Sequence, residues 1–187
     1  MKSSTPADDA ELIQRAQAGD RAAFGAIVQT YQAPALRLAT AICGDSAEAY
    51  DIVQEAFVKA FVAIPNIRSG DSLRPWLFRI VANQAKNARR SRWRRETRLQ
   101  RQFNLRVAEP TAVDDTVLSA VAAHELAHAV ERLSRSDRDV IACRYFAELN
   151  ESEAASVLGI AKGTVKSRTA RALVRLRAEM PVQWSDQ

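Results

Sequence analysis

Residues 124–128 read HELAH, two histidines four positions apart beside a glutamate. On a helix this spacing stacks both imidazoles on one face, where they can hold zinc while the glutamate serves as general base. A catalytic zinc site also needs a third protein ligand, an open water position and a pocket that keeps out bulk solvent. The chain has two histidines in all, so the third ligand would have to be a carboxylate. Glu131 is on hand, but on the same face, and three side chains of one straight helix do not surround an ion. The alanine-rich surroundings supply no cleft. The expectation is therefore no catalytic residue, no metal and no cofactor, with HELAH on a solvated or partner-facing surface. Leu126, Val130 and Leu133 are the expected core stripe of that helix.

The other chemistry in this sequence is that of cations placed for polyanions. The net charge is +5 over 187 residues, but it is unevenly spread. Residues 86–106 hold nine basic side chains and one acid, and residues 162–177 hold six basic side chains and no acid. Together these two stretches carry +14, which leaves −9 for the rest. An acidic chain with two separate basic patches points to two polyanion-binding surfaces, although a solvated charge run gives the same composition.

The second patch lies in NESEAASVLGIAKGTVKSRTARALVRLR. Asn150 can cap a helix over ESEAASVL, Gly159 can take a left-handed turn, and KGTVKSRTARALVRLR then forms a second helix. Ala155, Gly159 and Val165 stand where a helix-turn-helix needs a close crossing, a turn and a packing residue. The exposed face of the second helix would carry Lys162, Lys166, Ser167, Arg168 and Arg171, types that meet phosphates and base edges in a major groove.

The elements that must position these residues are helical in period throughout, and no strand alternates convincingly. Asp20 caps one helix, Pro34 is expected in the first turn of the next, and Gly44 at its end. Asp45 and Glu48 resemble a capping box. The helix they open has its apolar stripe at Ile52, Val53, Ala56, Phe57, Ala60, Phe61 and Ile64, and Pro65 stops it. After the loop PNIRSGDS, a helix from about Ser72 runs into the first basic patch on the stripe Leu73, Trp76, Leu77, Ile80 and Val81. QRQFNLRVAEPTAVDDT loses periodicity, and helices resume over 117–133 and from Ser136, the expected cap, to Phe146. The fold class is all-α: two small helical domains, 10–98 and 116–182, joined by a flexible linker over 99–115, the second containing the helix-turn-helix. Cys43 and Cys143 read as buried thiols. No run of eighteen apolar residues occurs and the N-terminal stretch lacks a signal-like apolar segment, so the expectation is a cytoplasmic protein without membrane insertion of its own.

SEAASVLGIAKGTVKSRTARAL resembles the −35-reading helix-turn-helix of bacterial sigma factors, particularly the small extracytoplasmic-function (ECF) class. DIVQEAFVKAF resembles the region 2.2 helix that docks on the clamp coiled coil of RNA polymerase. LRPWLFRIVANQAKNARRSRWRR resembles regions 2.3 and 2.4, which open and read the −10 element. The resemblance covers roughly residues 10–180. It implies a promoter-specificity subunit, not an enzyme, whose partners are core RNA polymerase (clamp coiled coil and flap), promoter DNA and an anti-sigma factor. It further implies a protein associated with the nucleoid when bound to polymerase, or held near the membrane by that anti-sigma factor.

Carried residue by residue, the resemblance implies polymerase contacts at Asp51, Gln54 and Glu55, a face that solvation alone would also explain. It implies a base-capturing loop with Asn66, Ser69 and Asp71, where a plain inter-helix turn is the alternative. Asn83, Lys86, Asn87 and Arg90 would line the −10 DNA, with a phosphate track continuing to Arg95. Lys162, Thr164, Lys166, Ser167, Arg168 and Arg171 would face the −35 element. The sequence departs from the family's pattern at Tyr50 (often an acid), Ser134 (usually proline) and Ala170 (bulkier in some members). Two rival readings make different demands. A conventional helix-turn-helix regulator needs a sensory pocket or a phosphoacceptor strand, and a zinc hydrolase needs Glu125 and stoichiometric metal.

Overall fold

A computed structural model describes residues 6–68, 72–103, 126 and 128–179. It contains helices α1 (Pro6–Gln17), α2 (Arg21–Cys43), α3 (Ser46–Ala63), α4 (Leu73–Phe103), α5 (Arg135–Ile141), α6 (Glu151–Leu158) and α7 (Lys162–Glu179). A 3-10 turn, Ile64–Asn66, follows α3, and a π-helical turn, Ala142–Phe146, follows α5. Residues 128–132 are also helical, and the described residues include no strand. The chain thus forms two helical regions, as the periodicity predicts. None of the described helices is long and apolar enough to cross a membrane.

Local chemistry sets most of the boundaries. The Asp20 carboxylate accepts from the Ala22 and Ala23 N–H groups at 2.8 and 3.2 Å, and Arg15 holds that carboxyl below its ordinary pKa. Asp45 accepts from Glu48 N–H at 3.0 Å. Glu48 does not complete the expected box: its carboxylate is 3.2 Å from the Arg92 guanidinium. At Asn150 the box does close, with Glu153 N–H donating to the Asn150 side chain and Asn150 N–H donating to Glu153. Gly44 and Gly159 end their helices at φ 76° and 67°, the left-handed region that glycine enters without a Cβ penalty.

Three expectations are corrected. Pro34 does not open a new helix; it lies inside the 23-residue α2. A proline there removes one ladder bond, but Tyr31, Ala35, Leu38, Ala39 and Ile42 are buried around it, and that packing holds the helix continuous. Ser136 is not the cap of α5. Ser134 is, accepting from Asp137 N–H at 3.2 Å, so the residue that departs from the family's proline performs the capping. Phe61 and Leu126 are not core: they are 48% and 40% exposed. Phe61 lies at the edge of the α3 stripe, edge-on to Phe24 with ring centres 5.0 Å apart.

One apolar core runs through α1–α4 and on into the C-terminal region. It unites Ile27, Leu38, Ile42, Ile52, Val53, Phe57, Leu77, Phe78 and Val81 with Val140, Cys143, Leu149, Val157 and Val165. Burying Ile52, Val53, Phe57 and Ile64 of α3 and its turn contributes roughly 6–12 kcal/mol gross. A smaller core joins Ala129, Val130, Leu133 and Ile141 to Ala172 and Leu176 of α7. Both cysteines are buried free thiols. Burial pushes the Cys143 thiol up to about 12 and raises that of Cys43, so both stay protonated and slow toward thiol reagents at neutral pH.

Candidate nucleic-acid and polymerase interface

The α3 face opposite its buried stripe carries the three side chains expected to meet polymerase. Asp51, Gln54 and Glu55 are all exposed. Glu55 accepts from the Gln84 side chain of α4 at 3.0 Å, which fixes its carboxylate without covering it. Sequence reasoning missed the apolar part of this face. Tyr50, Val58, Phe61 and Val62 are 55%, 65%, 48% and 70% exposed, and three- and four-residue steps interleave them with the acids. The signal was present in the sequence, since Val58 and Val62 fall outside the buried stripe. A solvated face does not require such residues, whereas a docking face with an apolar centre and charged margins does.

On α4 the buried stripe is Leu73, Leu77, Phe78, Val81, Ala82 and Ala85, with Trp76 and Ile80 partly buried against it. Asn83, Asn87 and Arg90 share one exposed face. Asn66 is exposed on the turn after α3; Ser69 and Asp71 lie outside the described residues. Lys86 sits at the flank of the asparagine face, only partly exposed, with Nζ 3.8 Å from the Asp139 carboxylate of α5. Of the basic residues beyond it, Arg90, Arg94, Arg95 and Arg98 are exposed. Arg89 and Arg92 turn inward. Arg92 pairs with Asp45 at 3.3 Å and donates to the Cys43 carbonyl, clasping the turn between α2 and α3. The first basic patch is therefore divided between a solvent-facing track and internal ion pairs, a division that composition alone does not reveal.

The helix-turn-helix is formed by α6 and α7. Gly159 and Ile160 N–H groups both donate to the Ala155 carbonyl, at 2.9 and 3.2 Å. Val165 and Ala154 are fully buried where the two helices meet, and Ala155 is only partly buried. This packing presents Lys162, Lys166, Ser167 and Arg171 to solvent, with Thr164 and Arg168 half-buried beside them. The Ser167 hydroxyl donates to the Thr164 carbonyl at 3.2 Å, leaving its oxygen free to accept. Such a face can meet a duplex through phosphate and base-edge hydrogen bonds.

His124 and Glu125 lie outside the described residues. His128 Nδ1 is 3.6 Å from the Glu131 carboxylate. A Cβ on Gly44 would meet that same carboxylate at 3.5 Å, so this end of HELAH faces the end of α2. Among the described residues no three histidine, cysteine or carboxylate side chains stand within reach of one metal ion.

Comparison with known proteins agrees with this geometry. Residues 27–95 match the family model for sigma-70 region 2, and residues 129–178 match that for sigma-70 region 4. The RNA polymerase sigma-H factor of Pseudomonas aeruginosa is 32% identical over 181 residues, covering 90% of this chain and 91% of its own. The ECF RNA polymerase sigma-E factor of Escherichia coli K12 is 31% identical, covering 88% and 90%. Among solved structures, CnrH in complex with the cytosolic domain of CnrY aligns with a TM-score of 0.69 at 27% identity, covering 96% of this chain and 99% of that one. RpoE of Bartonella quintana in complex with the anti-sigma factor NepR aligns with a TM-score of 0.69 at 27% identity, covering 88% and 98%. With both regions matched in order and relatives covered almost end to end, the chain belongs to the ECF class of RNA polymerase sigma factors.

Proposed function

We propose that this chain docks on core RNA polymerase through the exposed face of α3 and directs initiation by gripping two promoter elements. Its units are residues 10–98 and 116–182, with the stretch 99–115 between them, whose first residues are still the end of α4 at Phe103. Asp51, Gln54 and Glu55 meet the clamp, with Tyr50, Val58, Phe61 and Val62 as the apolar centre of that contact. Asn66, Ser69, Asp71, Asn83, Lys86, Asn87 and Arg90 serve the −10 element, and Lys162, Thr164, Lys166, Ser167, Arg168 and Arg171 the −35 element. The single observation that carries this reading is the pair of exposed basic helix faces, one on α4 and one on α7, each backed by a buried apolar stripe of its own helix. RNA synthesis itself belongs to the polymerase; the chain is a specificity subunit and not an enzyme.

The solved relatives were captured with CnrY and with the anti-sigma factor NepR. An anti-sigma regulator of this chain, working in the cytoplasm or near the membrane, follows by analogy. The polymerase reading is tested by footprinting on genomic promoter fragments. Core polymerase with the chain is expected to protect two separate DNA segments, and core alone neither. One continuous footprint formed by the chain without polymerase would instead favour a conventional operator-binding regulator.

A further inference from the structure

We propose that Gln17, the last residue of α1, is a positioning residue for base capture at the −10 element, holding the turn that carries Asn66. This rests on the base-capturing role read for Asn66 and names a residue that sets its geometry. Gln17 Nε2 donates to the Ile64 carbonyl at 3.2 Å and to the Ile67 carbonyl at 3.0 Å. Both amide hydrogens are thereby used. Only the nitrogen end fits, since a reversed amide would set its oxygen against two carbonyl oxygens. The Ile67 N–H also donates to the Ile64 carbonyl at 3.2 Å, so one oxygen both closes the turn and fastens it to α1. Asn66 stands exposed between the two bonded residues, directly after Pro65, whose ring fixes its own φ. Ile64 and Ile67 are 2% and 7% exposed, so their side chains are sunk in the core while their carbonyls meet Gln17.

The donor is itself held in place. Ile13 and Ala16 bury one side of α1, and the Tyr31 hydroxyl donates to the Asp9 carboxylate at 2.6 Å. Immediately after Gln17 the chain turns at Gly19, with φ 89° and its N–H donating to the Ala16 carbonyl at 3.0 Å. Arg15 then ties this turn to the cap of α2, donating to the Asp20 carboxylate from Nε at 2.9 Å and from Nη2 at 2.7 Å. The two isoleucines already anchor the turn to the core, so what the amide adds is direction. It fixes the carbonyls on either side of Asn66, and with them the backbone that aims the Asn66 side chain. Flipping a base costs unstacking energy, and only the surplus of the new contacts over that cost appears as affinity. A turn ordered beforehand loses less entropy on capture, which raises that surplus for the base that fits. A base that is not captured gains nothing from it.

The test uses the full chain bound to core polymerase, with a pool of single-stranded DNA oligonucleotides of randomised sequence as the probe. Sequencing the bound fraction gives the base preference at each position. Gln17→Met keeps the side-chain length and removes the amide. Its preference at one position should fall about tenfold, the size that two hydrogen bonds of ordinary net strength supply, with the remaining positions unchanged. Asn66→Ala should flatten the same position. The double variant should be no flatter than Asn66→Ala alone, because Gln17 acts through Asn66. Gln17→Arg returns donors to both carbonyls and should recover most of the preference. Gln14→Met, an exposed change on the same helix, should leave the profile as it is. A Gln17→Met profile equal to that of the wild type, or weakened evenly at all positions, would overturn the proposal while leaving Asn66 in its role. A wild-type profile without preference, or one that Asn66→Ala does not alter, would instead sink the base-capturing reading and this inference with it.

Discussion

Reversing Asp51 and Glu55 together to lysine should abolish co-elution of the chain with core polymerase while leaving its helix content unchanged. Both side chains are exposed on α3. The helix is held by its Asp45 cap and by buried Ile52, Val53, Ala56, Phe57 and Ala60, none of which the substitution touches. Exposed substitutions away from caps and core usually shift stability by about 0.5 kcal/mol or less, and the lost Gln84 to Glu55 hydrogen bond adds a small increment. Binding is another matter. Opposed charges around an apolar patch fix register, and placing like charges face to face costs several kcal/mol, about a hundredfold to a thousandfold in affinity. Gel filtration of the variant with core polymerase checks this, beside circular dichroism of the variant alone. Retained co-elution would remove α3 as the docking helix.

Phe78→Ala should lower stability by about 3–5 kcal/mol, a large fraction of the roughly 5–15 kcal/mol of an ordinary domain. Phe78 is fully buried in α4, edge-on to Tyr31 at 5.8 Å with planes 86° apart, and Arg74 lies 6.0 Å from its ring. Tyr31 in turn donates to the buried Asp9 carboxylate of α1 at 2.6 Å, so one ring links α1, α2 and α4. The cavity would loosen the helix whose other face presents Asn83, Asn87 and Arg90. For a chain of this size the melting temperature should fall by about 6–20 °C. A fall of a degree or two in a thermal melt would show that the helices collapse onto the gap and that Phe78 is not central.

Features written in neighbouring residues were the legible ones. Caps at Asp20, Asp45 and Asn150, turns at Gly44 and Gly159, and the stripes of α3 and α4 depend on side chains within one or two helical turns. Pro34 misled because its local preference opposes a continuous helix, and burial of residues on both sides overrides it. Ser134 and Ser136 are equally good caps by type, and only backbone geometry chooses between them. Phe61 fits the stripe by period but falls at its edge, where neighbouring elements decide exposure. Lys86 was placed on the right helix, yet its pairing with Asp139 joins residues 53 positions apart, and no local pattern encodes such a contact. The same holds for Arg89, which reads as an ordinary member of the basic patch, and for Arg74 and Arg79, which precede it in α4.

The central claim is that two basic helix faces select the start site while α3 holds the polymerase. Genome-wide mapping of transcript 5′ ends tests it most directly, with sigma-free core polymerase supplied with this chain or with a Lys166→Ala, Arg171→Ala variant. The account predicts discrete starts preceded by two recurring sequence elements at fixed spacing, and loss of the upstream element's influence in the variant. Starts no different from those of core polymerase alone, or an unaltered set with the variant, would contradict it.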